Sequence, residues 1–323
     1  MMRLIWMTLI IAAFVAMGAS ASIAAPPPDA RATAQAALND GIAKFNEGDL
    51  KEALKDFEKA VADDPTFPQA YTWRGDAKDS LGDPTGALAD YDKAIELDPE
   101  YQYAYATRCD TRREVGNYNG AIDDCNKAVK LDPTDAYAFG RRARLRIDMN
   151  DYTAAVADYD KAIGLDDTSA ELYAGRCEAR ANVDDYSGAM GDCDQALTLD
   201  PSNASAIFYR AYTEGLTGKD ADAIVDWNRY LKIHSDEANA YYHRGLNYEN
   251  IGNLTAAAAD LDQYLKMSPE SADGYLERGK LRIKLHDKPG AQADLTQAAK
   301  LYRRAGDDQS AKEAEALLKD ADA

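Results

Sequence analysis

From Ala34 onward, small, apolar and polar positions recur with a period of 34 residues. One column of the resulting rows reads Ala53, Ala87, Ala121, Ala155, Ala189, Ala223, Ala257 and Ala291. A second, seven places on, reads Ala60, Ala94, Ala128, Ala162, Ala196, Tyr230, Tyr264 and Ala298. Between them stand Phe57, Tyr91, Cys125, Tyr159, Cys193, Trp227, Leu261 and Leu295. Residues four and seven apart share one face of an α-helix, so the second half of every row is predicted to be amphipathic helix.

The first half of each row carries a small residue, at Gly41, Gly75, Cys109, Ala143, Cys177, Ala211, Gly245 and Gly279. A small side chain lets two backbones approach closely, which places a partner helix there. Gly82-Asp83-Pro84 and Gly116-Asn117 mark turns between the halves, and Leu97-Asp98-Pro99, Leu131-Asp132-Pro133 and Leu199-Asp200-Pro201 mark the ends of second helices. Proline cannot continue a helix because it lacks the amide hydrogen.

A 34-residue helix-turn-helix unit with small residues, an aromatic and a closing proline at these offsets resembles the tetratricopeptide repeat family, over about Ala34 to Ala305. The resemblance implies an all-α fold: a right-handed α-solenoid of eight repeats starting at residues 34, 68, 102, 136, 170, 204, 238 and 272. Residues 306–323 are then a C-terminal capping helix covering the last open face. Asp167, Ser235 and Arg303 replace the closing proline, and Tyr230 and Tyr264 replace small residues, so local packing should depart from the pattern in rows six and seven.

Ahead of the repeats, Met1-Met2-Arg3 precedes an apolar run from Leu4 to Met17 and then Ala19-Ser20-Ala21, an A-x-A-like cleavage pattern. Residues 1–21 therefore read as a secretory signal peptide, and the chain as exported, periplasmic or secreted after cleavage. An uncleaved membrane anchor is the alternative, although the run is short for a span of about 20 residues. Residues 22–33, with Pro26-Pro27-Pro28, read as a stiff linker. The first cysteine is Cys109, which disfavours a lipid anchor near the cleavage region.

The formal net charge of -19 makes nucleic acid an unexpected partner. Seven rows carry Arg just before the small residue of the first helix, at Arg74, Arg108, Arg142, Arg176, Arg210, Arg244 and Arg278. All eight carry Asp in the second helix, at Asp56, Asp90, Asp124, Asp158, Asp192, Asp226, Asp260 and Asp294. A residue recurring in every row serves the repeat lattice and not one catalytic event. Row one has Asp40 in place of Arg, so pairing within a row would set it against Asp56. We therefore expect pairs between rows: Asp56 with Arg74, Asp90 with Arg108, and onward to Asp294 with Lys312.

Cys109 and Cys125 occupy the same two places in row three as Cys177 and Cys193 in row five. Other rows there pair small with large, as Gly75 with Tyr91 and Ala211 with Trp227. Both members change together, which is what a covalent substitute for that packing looks like, and export makes the chemistry available. The expected disulfides are Cys109–Cys125 and Cys177–Cys193, the alternative being buried free thiols. Neither metal nor cofactor is expected, since His234, His243 and His286 lack ligand spacing to a cysteine pair.

The resemblance also implies a concave groove lined by the first helices, in which peptides or folded proteins lie. Groove-facing places in rows two, three and five hold Asp76, Asp79, Asp110, Glu114, Glu171 and Glu178, with Arg113 interrupting. In rows six to eight they hold Phe208, Tyr212, Leu216, Tyr242, Leu246, Leu276 and Ile283, an apolar strip that reads either as a ligand anchor or as core. The function expected is an exported, non-catalytic interaction scaffold, with a holdase-type chaperone for unfolded exported chains as the alternative. No phosphate-binding loop or His-acid-nucleophile set stands outside the lattice to support an enzyme.

Overall fold

The computed structural model describes residues 28–322, whose regular secondary structure is entirely helical. The proposed signal segment therefore lies outside the described residues. Residues up to Leu131 and those from Asp132 form two compact units. The first holds α1 (Pro28–Asn46), α2 (Leu50–Asp63), α3 (Pro68–Ser80), α4 (Pro84–Leu97), α5 (Gln102–Glu114) and α6 (Tyr118–Leu131). The second holds α7 (Ala136–Asp148), α8 (Tyr152–Leu165), α9 (Ala170–Ala181), α10 (Tyr186–Leu199), α11 (Ala204–Leu216) and α12 (Asp220–Leu231). It continues with α13 (Ala238–Asn250), α14 (Leu254–Met267), α15 (Ala272–Lys284), α16 (Lys288–Ala305) and the capping helix α17 (Asp308–Asp322).

Each odd-numbered helix up to α15 packs on the even-numbered helix after it, and within each unit each hairpin packs on the next in sequence. Local chemistry sets the ends. Gly48, Gly82, Gly116, Gly218 and Gly252 turn the chain between the two helices of a hairpin with positive φ, a conformation that Asn150, Asp184 and His286 adopt at the same place in rows four, five and eight. Asp83, Asp185 and Asp287 then cap the second helix by accepting from the backbone amides of Gly86, Gly188 and Gly290 at 2.9 to 3.1 Å. After the second helix, Asp132, Asp166 and Asp200 accept from both the amide and the hydroxyl of Thr134, Thr168 and Ser202, which holds their carboxyls below the usual range.

One boundary differs from expectation, the start of the first helix, while the expected end of the last repeat at residue 305 is where its second helix stops. Residues 28–33, read as linker, begin α1. Proline is at home in a helix's first turn and Asp29 suits its positive end, while Arg31 lies 4.3 Å over the Phe67 ring and pairs with Asp64. At the other end, α16 runs to Ala305, past the length of its 14-residue counterparts such as α14, and stops at Gly306 in the left-handed region. No proline interrupts it at Arg303.

The first alanine column is fully buried in all eight rows. The small-against-large contact is equally literal, since a Cβ added to Gly41 or Gly75 would stand 2.5 Å from the ring of Phe57 or Tyr91. In rows three and five the contact is covalent. Cys109–Cys125 and Cys177–Cys193 are disulfides, with Cα atoms 5.4 and 5.5 Å apart.

The ion pairs run within rows, which overturns the expected pairing of Asp56 with Arg74, Asp90 with Arg108 and Asp294 with Lys312. Arg74 closes a two-pronged fork on Asp90, Arg108 on Asp124 and Arg278 on Asp294, and Arg142, Arg176, Arg210 and Arg244 do the same with the Asp sixteen residues ahead, at 2.5 to 3.0 Å. These carboxylates face inward between their own two helices and are only 3 to 5% exposed. The like-charge conflict in row one is avoided by Lys44, one turn beyond Asp40, which reaches Asp56 at 2.5 Å. A bridge between rows does exist, on a different residue: the remaining arm of Arg108, Arg176, Arg210 and Arg278 reaches back to Asp92, Asp160, Asp194 and Asp262 at 2.5 to 2.9 Å. Asp294 is shared by Arg278 and Arg282, and Lys312 is exposed.

This packing carries two expected outcomes. Replacing Cys177 and Cys193 together with Ala should cost about 3 kcal/mol in urea unfolding, the chain entropy of a loop of this size, and the denatured, unreduced wild type should show no reactive thiol. Asp192→Ala strips the carboxylate from Arg176 and Arg180. It should cost about 3 kcal/mol, the low end for a broken buried pair because both guanidinium groups keep some contact with water.

Candidate interaction groove

In the second unit, α11, α13 and α15 carry the apolar strip. Phe208, Tyr212, Tyr242, Leu246 and Ile283 are half-buried, and Leu216 is 50% exposed. Leu276 leaves the strip: it is buried in a cluster with Leu295, Ala298 and Tyr302. The tyrosines in the alanine column explain the partial exposure. Tyr230 stands edge-on to Phe208 at 5.3 Å and Tyr264 lies 4.9 Å from Tyr242, so the rings prop side chains outward that a smaller residue would let sink. Gly274 makes room for Tyr264, whose ring would lie 2.6 Å from any added Cβ.

Under the strip lies a polar seam that sequence reasoning missed. The buried Trp227 donates its indole N–H to Asn247 Oδ1 at 3.0 Å, and Asn247 donates to Asp220 at 2.8 Å, tying α12 to α13. His243 stacks on Trp227 at 5.8 Å and meets Tyr212 and Tyr242 edge-on at 5.1 and 5.4 Å. Burial among these rings pushes its imidazole down to about 4, so it is neutral near pH 7 and acts as one more aromatic surface. Further along, Leu246, Ile283 and Leu317 with Glu249, Glu277 and Lys280 line a shallow depression of about 490 Å³ between α13, α15 and α17.

Most of the expected acidic positions are engaged, while Glu171 is exposed. In the first unit, Asp76 accepts from the hydroxyls of Tyr91 and Tyr103 at 2.8 and 3.1 Å, Asp79 from Thr111 at 2.8 Å, and Asp110 from Arg113 at 2.9 Å. Burial raises the Asp79 carboxyl. In the second unit, Glu178 is 7% exposed and accepts from Arg144 at 2.8 Å and Tyr209 at 2.7 Å.

Beside Glu178, Gly140, Arg141, Arg144, Tyr159 and Gly175 line a cavity of about 450 Å³ between α7 and α9. Its origin is readable in the small-against-large column. Where Gly75 admits Tyr91, row four has Ala143, and the Tyr159 hydroxyl instead points across to Gly175, where an added Cβ would collide with it. Gly175→Ala should therefore cost about 1 to 3 kcal/mol in thermal or urea unfolding, as overpacked cores do, with the Tyr159 ring forced into the cavity.

Two family descriptions, both of the tetratricopeptide repeat, match this chain, one over residues 38–102 and 141–204 and the other over 238–271. No curated protein matches. Among solved structures, a tetratricopeptide repeat protein from Parabacteroides merdae is 18% identical over 79% of this chain and 99% of its own, with a TM-score of 0.54. A chain of the APC/C hetero-tetramer Cut9–Hcn1 is 15% identical over 88% of this chain and 55% of its own, with a TM-score of 0.67. Pseudomonas aeruginosa pilF is 15% identical over 70% of this chain and 99% of its own, with a TM-score of 0.59. At these identities the likeness is one of fold.

Proposed function

The chain belongs to the tetratricopeptide repeat family, and on that premise we propose that it is an exported, non-catalytic scaffold holding a protein or peptide on the first helices of its second unit. The observation that carries this is the half-exposed strip of Phe208, Tyr212, Leu216, Tyr242, Leu246 and Ile283, continuous with the depression at Leu317. Apolar and aromatic side chains left partly in water, on rigid helices, are the kind of surface that repays association. The recurring Arg and Asp residues, which would otherwise invite a catalytic reading, are consumed by the lattice. Similarity to a chain solved in a hetero-tetramer agrees with a role in assembly.

Export is supported by the apolar N-terminal segment and by two disulfides, which persist in oxidising compartments. A photo-crosslinking residue placed at 212 or 242 in the full chain should then capture one stoichiometric protein in the exported fraction. Tyr212→Ala with Tyr242→Ala should weaken that complex at least about tenfold, equivalent to about 1.4 kcal/mol. A broad ladder of unfolded clients would mean a holdase, and no adduct at either position would remove the groove from consideration.

A further inference from the structure

Each buried Asp of the lattice is served by more than one cation in most rows. One turn after the arginine place, Lys44, Lys78, Arg112, Arg146, Arg180 and Arg282 each reach the Asp of their own row at 2.5 to 2.8 Å. All four arginines also donate to a backbone carbonyl of the second helix, at Gly120, Ala154, Gly188 and Gly290. Row seven has the neutral Tyr248 at this place, and row six has Glu214. Glu214 is 8% exposed, and its Oε2 is buried with no hydrogen-bond partner. It thus sets a carboxyl where the lattice elsewhere sets a positive charge, beside Asp226, which is itself only 4% exposed.

The surrounding charges leave the conflict standing. Arg210, on the same helix, is already divided between Asp226 and Asp194 of α10. From α12 come Asp226 and Asp222, both unfavourable to a negative Glu214, and from the turn comes Lys219. On α9, Glu178 is held by Arg144 and Tyr209. On α13, Arg244 is taken up by Asp260 and Asn228, and His243 and Asn247 bring no charge near pH 7.

We propose that the α11–α12 hairpin is a proton-operated joint, in which a proton on Glu214 stands in for the missing cation and its loss loosens the end of α11 and the following turn. A protonated carboxyl supplies one O–H donor toward acceptors that a lysine or arginine serves in six of the other seven rows. Burial first, and Asp226 second, push this carboxyl up to about 7. The sign of the effect is fixed by linkage. Between the ordinary value of 4.5 and about 7 the folded chain keeps a proton that the unfolded chain has released, so stability falls as pH rises through that window and drops no further from this group above it. The joint follows from the lattice alone and holds whatever the groove binds, although α11 also carries Tyr212 and Leu216.

Melting of the full chain from about pH 5 to about pH 8 tests it, comparing wild type with Glu214→Gln and Glu214→Lys. The wild-type Tm should fall by several degrees relative to Glu214→Gln over that range. Glu214→Lys should remove the drift and raise the Tm most at the alkaline end. Amide exchange of residues 211–218, corrected for intrinsic rates, should quicken at high pH in the wild type and not in Glu214→Gln. Parallel pH profiles for wild type and Glu214→Gln, or exchange that quickens equally in hairpins with a second cation, would overturn the proposal.

Discussion

A carboxylate taken out of water must be answered by donors, and in this protein that demand is made once per hairpin. The second helix brings an Asp to its inner face, and the first helix must then bring a cation to the facing position. Seven arginines meet it with a fork, and a lysine or arginine one turn on adds a further donor in most rows. Such a buried pair is weak as a source of net stability, since desolvation offsets much of the attraction. Its effect is positional. A hairpin that slips by one residue leaves an Asp buried without its fork, so each pair penalises every register but one, and the third arm of the arginine extends that penalty to the neighbouring hairpin.

The same crossing point carries the steric constraint. Two helices this close need a small residue on one to receive a large one on the other, and the chain satisfies this with Gly and Phe, Gly and Tyr, Ala and Trp, or a disulfide. These solutions are interchangeable because each fills one gap of fixed width. Row four shows the cost of an imperfect match: with Ala143 in place of Gly, Tyr159 extends beyond its own hairpin, Gly175 becomes necessary in the next, and a cavity opens between α7 and α9.

Periodicity made the fold legible. An invariant alanine column over eight rows leaves no architecture but stacked hairpins, and the paired replacement at Cys109 and Cys125 pointed to a bond because both halves of a contact changed at once. Ion-pair direction was not legible from row one alone. Asp40 facing Asp56 reads as a conflict unless Lys44, a turn away, is counted as the partner. The groove was half legible: side-chain type identified Tyr212 and Tyr242, but whether Leu276 faces water depends on the fit of α15 against α16, which no periodic pattern encodes. Asn247 and His243 were not legible at all, because a polar residue inside an aromatic seam carries no spacing signature.

Rows six and seven concentrate the departures from the repeat. Lys219 replaces the capping Asp or Asn, α12 is 12 residues long against 14 for α10 and α14, Glu214 and Tyr248 stand where cations should, and Tyr230 and Tyr264 enlarge the alanine column. Each departure costs something that neighbouring hairpins avoid: an uncapped amide, a buried unpaired carboxyl, rings that must be propped aside. If stability were the only pressure on these positions, the other rows supply ready replacements for all of them. The departures coincide in space with the one stretch where Phe208, Tyr212 and Tyr242 remain partly in water over a Trp–His–Tyr cluster. A local rule broken repeatedly in one place, against an intact lattice on either side, is the mark of a surface shaped for something other than holding the solenoid together.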